Sequence, residues 1–163
     1  MKATELAQIL RNMDLLMSCE EAVMDFYQAC AEAWPREREF WGDLAADELV
    51  HTTRLQLMRD RAEGSAHAAR SIRIFPPAAL ATFRSSVEGS RERVQSRKIS
   101  HREALAIARD LERSPIVNNH YLVARSAEPG LANYLLSFAT DYGEHSQLIE
   151  ERLNRAVTME RVA

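Results

Sequence analysis

Apolar side chains recur every three to four positions through nearly the whole of this 163-residue chain, and that period constrains the fold more than any other feature. Apolar/polar alternation of strand length is absent, and five Gly and five Pro leave long stretches uninterrupted. The chain therefore reads as all-α. At this length one domain buries roughly 70% of the surface its unfolded chain exposes. A single domain over residues 1–163 can hold a core without disulfide staples.

Breakers and caps divide the periodic stretches. A short leader helix is expected at about 4–11 and a first long helix at about 13–33, closed by Trp34-Pro35, because the residue before proline leaves the helical region. Proline suits the first turn of a second helix, about 36–62, which Glu63-Gly64-Ser65 ends. Residues 63–77 read as a loop, and Pro76-Pro77 opens a crossover helix at about 78–94. Ser100-His101-Arg102-Glu103 has the form of a capping box and starts a third long helix, about 101–126. Glu128-Pro129-Gly130 separates it from a fourth, about 130–156. The expected architecture is a four-helix bundle whose second and third helices are joined by a long crossover containing a short helix.

Several function classes fall away on composition. The net charge is −3 with Lys and Arg scattered along the chain, which does not make the clustered basic face that nucleic acid requires. An amphipathic N-terminal segment with acids in it, and no run of 18 apolar residues, lead us to expect a soluble cytoplasmic protein with no membrane partner. Cys19 and Cys30 form no Cys-x-x-Cys pair and read as buried free thiols, so a rubredoxin or zinc-ribbon module is not expected. His67, His101 and His120 are assigned to the surface.

Projecting each helix at about 100° per residue shows which side chains share the apolar stripe. Glu20 falls among Leu16, Val23, Tyr27 and Trp34, whereas Glu21 lies off that stripe. Glu48 and His51 fall among Phe40, Leu44, Leu55 and Met58. Glu112 joins Leu105 and Ile116. Asp141, Tyr142 and His145 share a sector with Leu131, Leu135, Phe138 and Ile149, while Glu144 points elsewhere. A lone Glu-x-x-His is usually a solvated face, and a lone inward Glu usually sits at a stripe edge. The weight comes from the conjunction on four helices. A buried carboxylate costs several kcal/mol unless it is paired or binds a cation. Glu and imidazole together suit iron, manganese or zinc.

At these residues the sequence resembles the rubrerythrin-like branch of the ferritin-like superfamily. Glu20-Glu21-Ala22-Val23-Met24-Asp25-Phe26-Tyr27 looks like that family's first-helix phrase, and Phe40 to His51, with an acidic pair followed by x-x-His, looks like its second. Glu103 to Glu112 is similar to its third. The resemblance implies a ferritin-like bundle in which Glu20, Glu48, His51, Glu112 and His145 are metal ligands. It further implies two iron ions bridged by Glu48 and Glu112, with manganese or zinc as the other candidates.

The likeness breaks in two places. The fourth helix offers Asp141-Tyr142-Gly143-Glu144-His145, where the family has an acidic pair with x-x-His: Asp141 matches the first acid, but Tyr142 holds the ligand position. A phenol with a pKa near 10 is a poor ligand for ferrous iron. After Glu112, Ser114-Pro115 interrupts the helix, and Asn118-Asn119 stand where the family often has Phe-Tyr. The family's activity implies a peroxide- or dioxygen-reactive oxidoreductase of the peroxidase or ferroxidase kind, with a separate electron donor. The alternative is a degenerate bundle with one metal or none, acting as a structural or regulatory module. There Tyr142 would bond to Glu20 or Glu112, and the carboxylates would have raised pKa values. Iron storage would need a many-subunit shell, for which the sequence gives no sign. A homodimer built on the long helices is expected.

Overall fold

A computed structural model describes residues 2–72, 75–114, 116 and 143–155. Among the described residues all regular structure is helical. The elements are α1 (Ala3–Ala33), a 3₁₀ turn (Pro35–Glu37), α2 (Arg38–Gly64), α3 (Ala66–Ser71), α4 (Pro77–Gln95), α5 (His101–Glu112) and α6 (residues 143–155). None of these helices is long and apolar enough to cross a membrane.

The expected leader helix and first helix are one element. α1 runs unbroken for 31 residues, about 46 Å at 1.5 Å per residue. Asn12, where a break was expected, is tolerated because its side chain is satisfied without unwinding the helix. Its amide donates to the Phe75 carbonyl at 2.7 Å and its oxygen accepts from Gln8 at 2.8 Å. Ile9, Met13 and Leu16 carry one buried stripe straight across it. The expected loop 63–77 is also partly helical. Ser65 caps α3 by accepting the Ala68 N–H at 3.3 Å, so the crossover contains two helices rather than one. Gly64 and Ser65 end α2, and the cap immediately starts the next helix.

α5 begins with the expected capping box: Glu103 N–H donates to Ser100 Oγ at 3.2 Å, and Ser100 N–H to the Glu103 carboxylate at 2.7 Å. It ends at Glu112, earlier than expected, with Arg113 as its C-cap. Ser114 precedes Pro115, a position disfavoured in the helical region. The Ser114 Oγ then accepts the Ile116 N–H at 3.2 Å, in the manner of a new N-cap. The expected third helix beyond Ile116, with His120, then Glu128-Pro129-Gly130, and the fourth-helix residues through Asp141 and Tyr142 lie outside the described residues.

Cross-helix contacts fix the directions. Tyr27 stacks with Trp41 while Asp14 pairs with Arg59 at 2.6 Å, so α1 and α2 are antiparallel. Cys19 meets the Leu80 carbonyl, Asp25 pairs with Arg91 at 2.5 Å, and Arg97 donates to the Ala33 carbonyl, so α4 runs parallel to α1. α5 starts beside Trp34 and Trp41 and ends beside Tyr27, which makes it parallel to α2. His145 lies against Asp47, and Arg152 pairs with Glu37 and covers the Phe40 ring at 4.6 Å, so α6 opposes α2. α4, about 28 Å long, thus returns the chain to the end from which α5 can descend alongside α2. The turn into α5 uses Arg97 at φ 55°, a left-handed conformation that costs a non-glycine residue roughly 1–2 kcal/mol. Its guanidinium offsets this by bonding to the C-terminal carbonyl of α1.

The core is in two parts. One, aromatic, gathers Phe26, Tyr27, Phe40, Trp41, Leu44, Leu105, Ile149 and Leu153. The other, aliphatic, gathers Ile9, Met13, Leu16, Cys19, Leu55, Met58 and Leu80. Along α1 and α2 the residues between the two are Glu20, Glu48 and His51, so a polar layer divides the core. Cys19 and Cys30 are buried free thiols, as expected. Burial, reinforced by the neighbouring Glu20, pushes the Cys19 thiol up to about 12.

Candidate metal centre

Three carboxylates and two imidazoles form the polar layer. Glu48 and His51 are fully buried, Glu20 and Glu112 are 1% exposed and His145 is 3% exposed. All five residues singled out in the sequence therefore face inward, whereas Glu21 and Glu144 are exposed. Their donor atoms form two groups, Glu20–Glu48–His51 and Glu48–Glu112–His145, and within each group the atoms lie within 4.8 Å of one another. Glu48 belongs to both. Glu112, expected to bridge as well, belongs to the second group alone, with Glu48 and His145.

Each side chain is placed by its helix and steadied by a neighbour. Glu48 and His51 are one turn apart on α2, and His51 Nδ1 lies 2.9 Å from Glu48 Oε2. Glu20 comes from the facing stripe of α1. Glu112 closes α5, where the negative end of the helix dipole opposes a carboxylate. Tyr27 offsets that by donating its hydroxyl to Glu112 Oε1 at 2.6 Å. His145 Nε2 is 3.0 Å from Asp47 Oδ2, and its Nδ1 is turned inward, 3.5 Å from Glu112 Oε1 and 3.9 Å from Glu48 Oε1. A carboxylate on the outer ring nitrogen is the usual way a ligating histidine is oriented.

Tyr27 and Asp47 are the two contributors that sequence reasoning missed. Tyr27 was legible only as core, and Asp47 only as the first of an acidic pair. The signal for Asp47 was its place one residue before Glu48, which directs it toward the neighbouring helix rather than the core. The contact of Glu112 goes to Tyr27. The expected partner, Tyr142, lies outside the described residues, as does Asp141. His101 is a correction. It is half-buried, accepts the Trp41 indole N–H at 3.3 Å, and packs 5.1 Å from the Trp34 ring, whereas His67 is exposed as expected. Burial lowers the His101 pKa below its ordinary value.

The electrostatics are those of crowded acids. Burial, then the charges of Glu20 and Glu112, hold the Glu48 carboxyl well above the usual carboxylate range. Burial, then the charges of Glu112 and Glu48, push the Tyr27 phenol well up. For His145, burial works against the charged form, but Glu112 and Asp47 outweigh it and raise the pKa to about 9.

The donor set fits divalent cations. Around an ion with bonds of roughly 2.0–2.2 Å, donors lie no more than about 4.4 Å apart, so each group needs to contract by only a few tenths of an ångström. Three carboxylates balance most of the charge of two such ions. Imidazole with carboxylate and no thiolate suits iron, manganese or zinc, rather than the all-oxygen shells of calcium and magnesium.

Fold and site together define an all-helical protein with a carboxylate–histidine cluster buried across four helices. Comparison with family models, with curated proteins and with solved structures finds no match for the chain.

Proposed function

We propose that the chain is a ferritin-like, rubrerythrin-like metalloprotein whose core site holds two first-row divalent cations, iron foremost, and reacts with peroxide or dioxygen. The observation that carries the reading is the pair of donor groups sharing Glu48. The helix directions support it too, since a hairpin, a long crossover and a third helix parallel to the second make the one-crossover connectivity of ferritin-like bundles.

In this reading Glu20, Glu48 and His51 would hold one ion, and Glu48, Glu112 and His145 the other. When bound, the ions would supply one-electron chemistry toward peroxide or dioxygen. The chain's own residues do the rest. The two apolar clusters exclude water, Asp47 fixes the tautomer of His145, and Tyr27 holds Glu112 in place. A separate electron donor completes the cycle. The exposed Leu49, Val50 and Leu57 of α2 are the surface we assign to a homodimer.

A single-ion form is the second reading. It is favoured by Glu112, which already spends one oxygen on Tyr27, and by Tyr142, which replaces the acid expected on the fourth helix. Elemental analysis of protein purified from iron- or manganese-supplemented cells tests both. Two equivalents per chain are expected, and one equivalent selects the second reading. A metal-free protein with no spectral change on ferrous addition and oxygen exposure overturns both.

A further inference from the structure

The carboxylate cluster is joined to the surface by a row of aromatic rings. Tyr27, bonded to Glu112, has its ring centroid 5.8 Å from that of Trp41, with the planes at 31°. Trp41 is wholly buried, and its indole N–H donates to His101 Nε2 at 3.3 Å. The His101 ring lies 5.1 Å from Trp34, and these two line a surface pocket of about 360 Å³ with Ala33, Pro35, Arg36 and Glu37. Both tryptophans of the chain belong to this row. Aromatic clusters ordinarily serve packing, and Phe26 and Phe40 do so here beside Trp41. The row differs from packing in two respects. Each buried oxidisable ring has a proton acceptor at hydrogen-bond distance, Glu112 for Tyr27 and His101 for Trp41. The row also ends at solvent rather than inside the core.

We propose that Tyr27, Trp41, His101 and Trp34 form a relay carrying single electrons between the carboxylate site and the pocket at the α1–α2 turn. The relay rests on the redox reading above, which supplies a one-electron oxidant at the site. Tyr27 gives up one electron, and its phenolic proton passes to Glu112. Trp41 then gives one electron to the tyrosyl radical, the proton returns from Glu112, and the indole proton of Trp41 moves to His101. Trp34 supplies the next electron, and His101 returns the proton to Trp41. A small external one-electron reductant, of the size such a pocket admits, restores Trp34. The balance is one electron from reductant to site, with every proton back in place.

The test needs no metal. A ruthenium polypyridine photosensitiser is attached at the exposed position 36 through Arg36→Cys, and the metal-free protein is oxidised by flash-quench. A tyrosyl radical is expected by electron paramagnetic resonance. It should be absent from Tyr27→Phe, lost in Trp41→Phe and retained in Phe26→Leu, with circular dichroism checking the fold of each. Where Trp41→Phe proves unstable, Trp34→Phe at the half-buried end gives the same loss. Oxidation that stops at Trp34, or an undiminished Tyr27 radical in a folded Trp41→Phe, overturns the relay. Because metal is removed, that failure leaves the metal reading intact. A negative elemental analysis, conversely, removes the oxidant and overturns the metal reading and the relay together, so the two failures are distinguishable.

Discussion

Glu20, Glu48 and His51 come from one hairpin, α1 and α2 joined by the turn at Trp34–Glu37, whereas Glu48, Glu112 and His145 come from three helices far apart in sequence. The first group is held by local geometry: one turn of α2 sets Glu48 against His51, and the antiparallel partner supplies Glu20. The second has no such help, and each of its two distant members has a supporting residue, Tyr27 for Glu112 and Asp47 for His145. A site assembled by long-range contacts thus draws on positioning groups from outside the donor set, Tyr27 and Asp47, to hold its distant members.

The sharpest way to break this comparison is to remove the member common to both halves. Glu48→Ala is expected to abolish binding of both ions by elemental analysis, while Glu20→Ala removes one and leaves the other. In metal-free protein the same Glu48→Ala change is expected to raise the melting temperature, because a buried carboxyl crowded by two others is lost. Loss of only one ion in Glu48→Ala would show that the halves are independent.

A smaller effect should separate the halves by their supports. Tyr27→Phe removes a buried hydrogen bond to a carboxyl and is expected to destabilise the metal-free fold by about 2 kcal/mol in urea titration. It should also weaken binding of one ion roughly 10–100-fold and spare the other. Asp47→Asn should weaken the same ion with little change in stability, since the Asp47 side chain is 55% exposed. Equal weakening of both ions by either variant would dissolve the distinction.

The smallest effect is one of pH. The folded His145 pKa is raised from 6.5 to about 9, so its contribution to the metal-free fold is complete below 6.5 and disappears as pH rises to about 9. Glu48, also raised, acts in the same direction, because the unfolded carboxyl ionises at a lower pH than the folded one. Melts in chelator are therefore expected to fall from pH 6.5 to about 9. Metal-loaded protein should trend the other way, since ligands must lose their protons to bind. Parallel slopes would count against His145 as a ligand.

The inward placement of Glu20, Glu48, His51, Glu112 and His145 was legible because it depends only on helical period, a local property. What was not legible depends on contacts across the fold. Asn12 looked like a break because its partner, the Phe75 carbonyl, is 63 residues away. His101 looked exposed because nothing near it in sequence announces Trp34 and Trp41. Ser65 looked like loop, since one residue both ends α2 and caps α3. Tyr27 is the instructive case, because its stripe position was clear and its hydroxyl partner, 85 residues on, was not.

The polar layer between the aromatic and aliphatic clusters also bears on how the protein comes apart. The half-buried Phe83 packs against both clusters, and elsewhere the polar layer separates them, so the middle of the bundle is its weakest plane. A bound cation acts there as a rivet. The metal-free chain should therefore open first at mid-helix, with amides around Glu20 and Glu48 exchanging ahead of those at Trp41 or Met58, and loading should turn a broad, stepwise melt into a single sharp one.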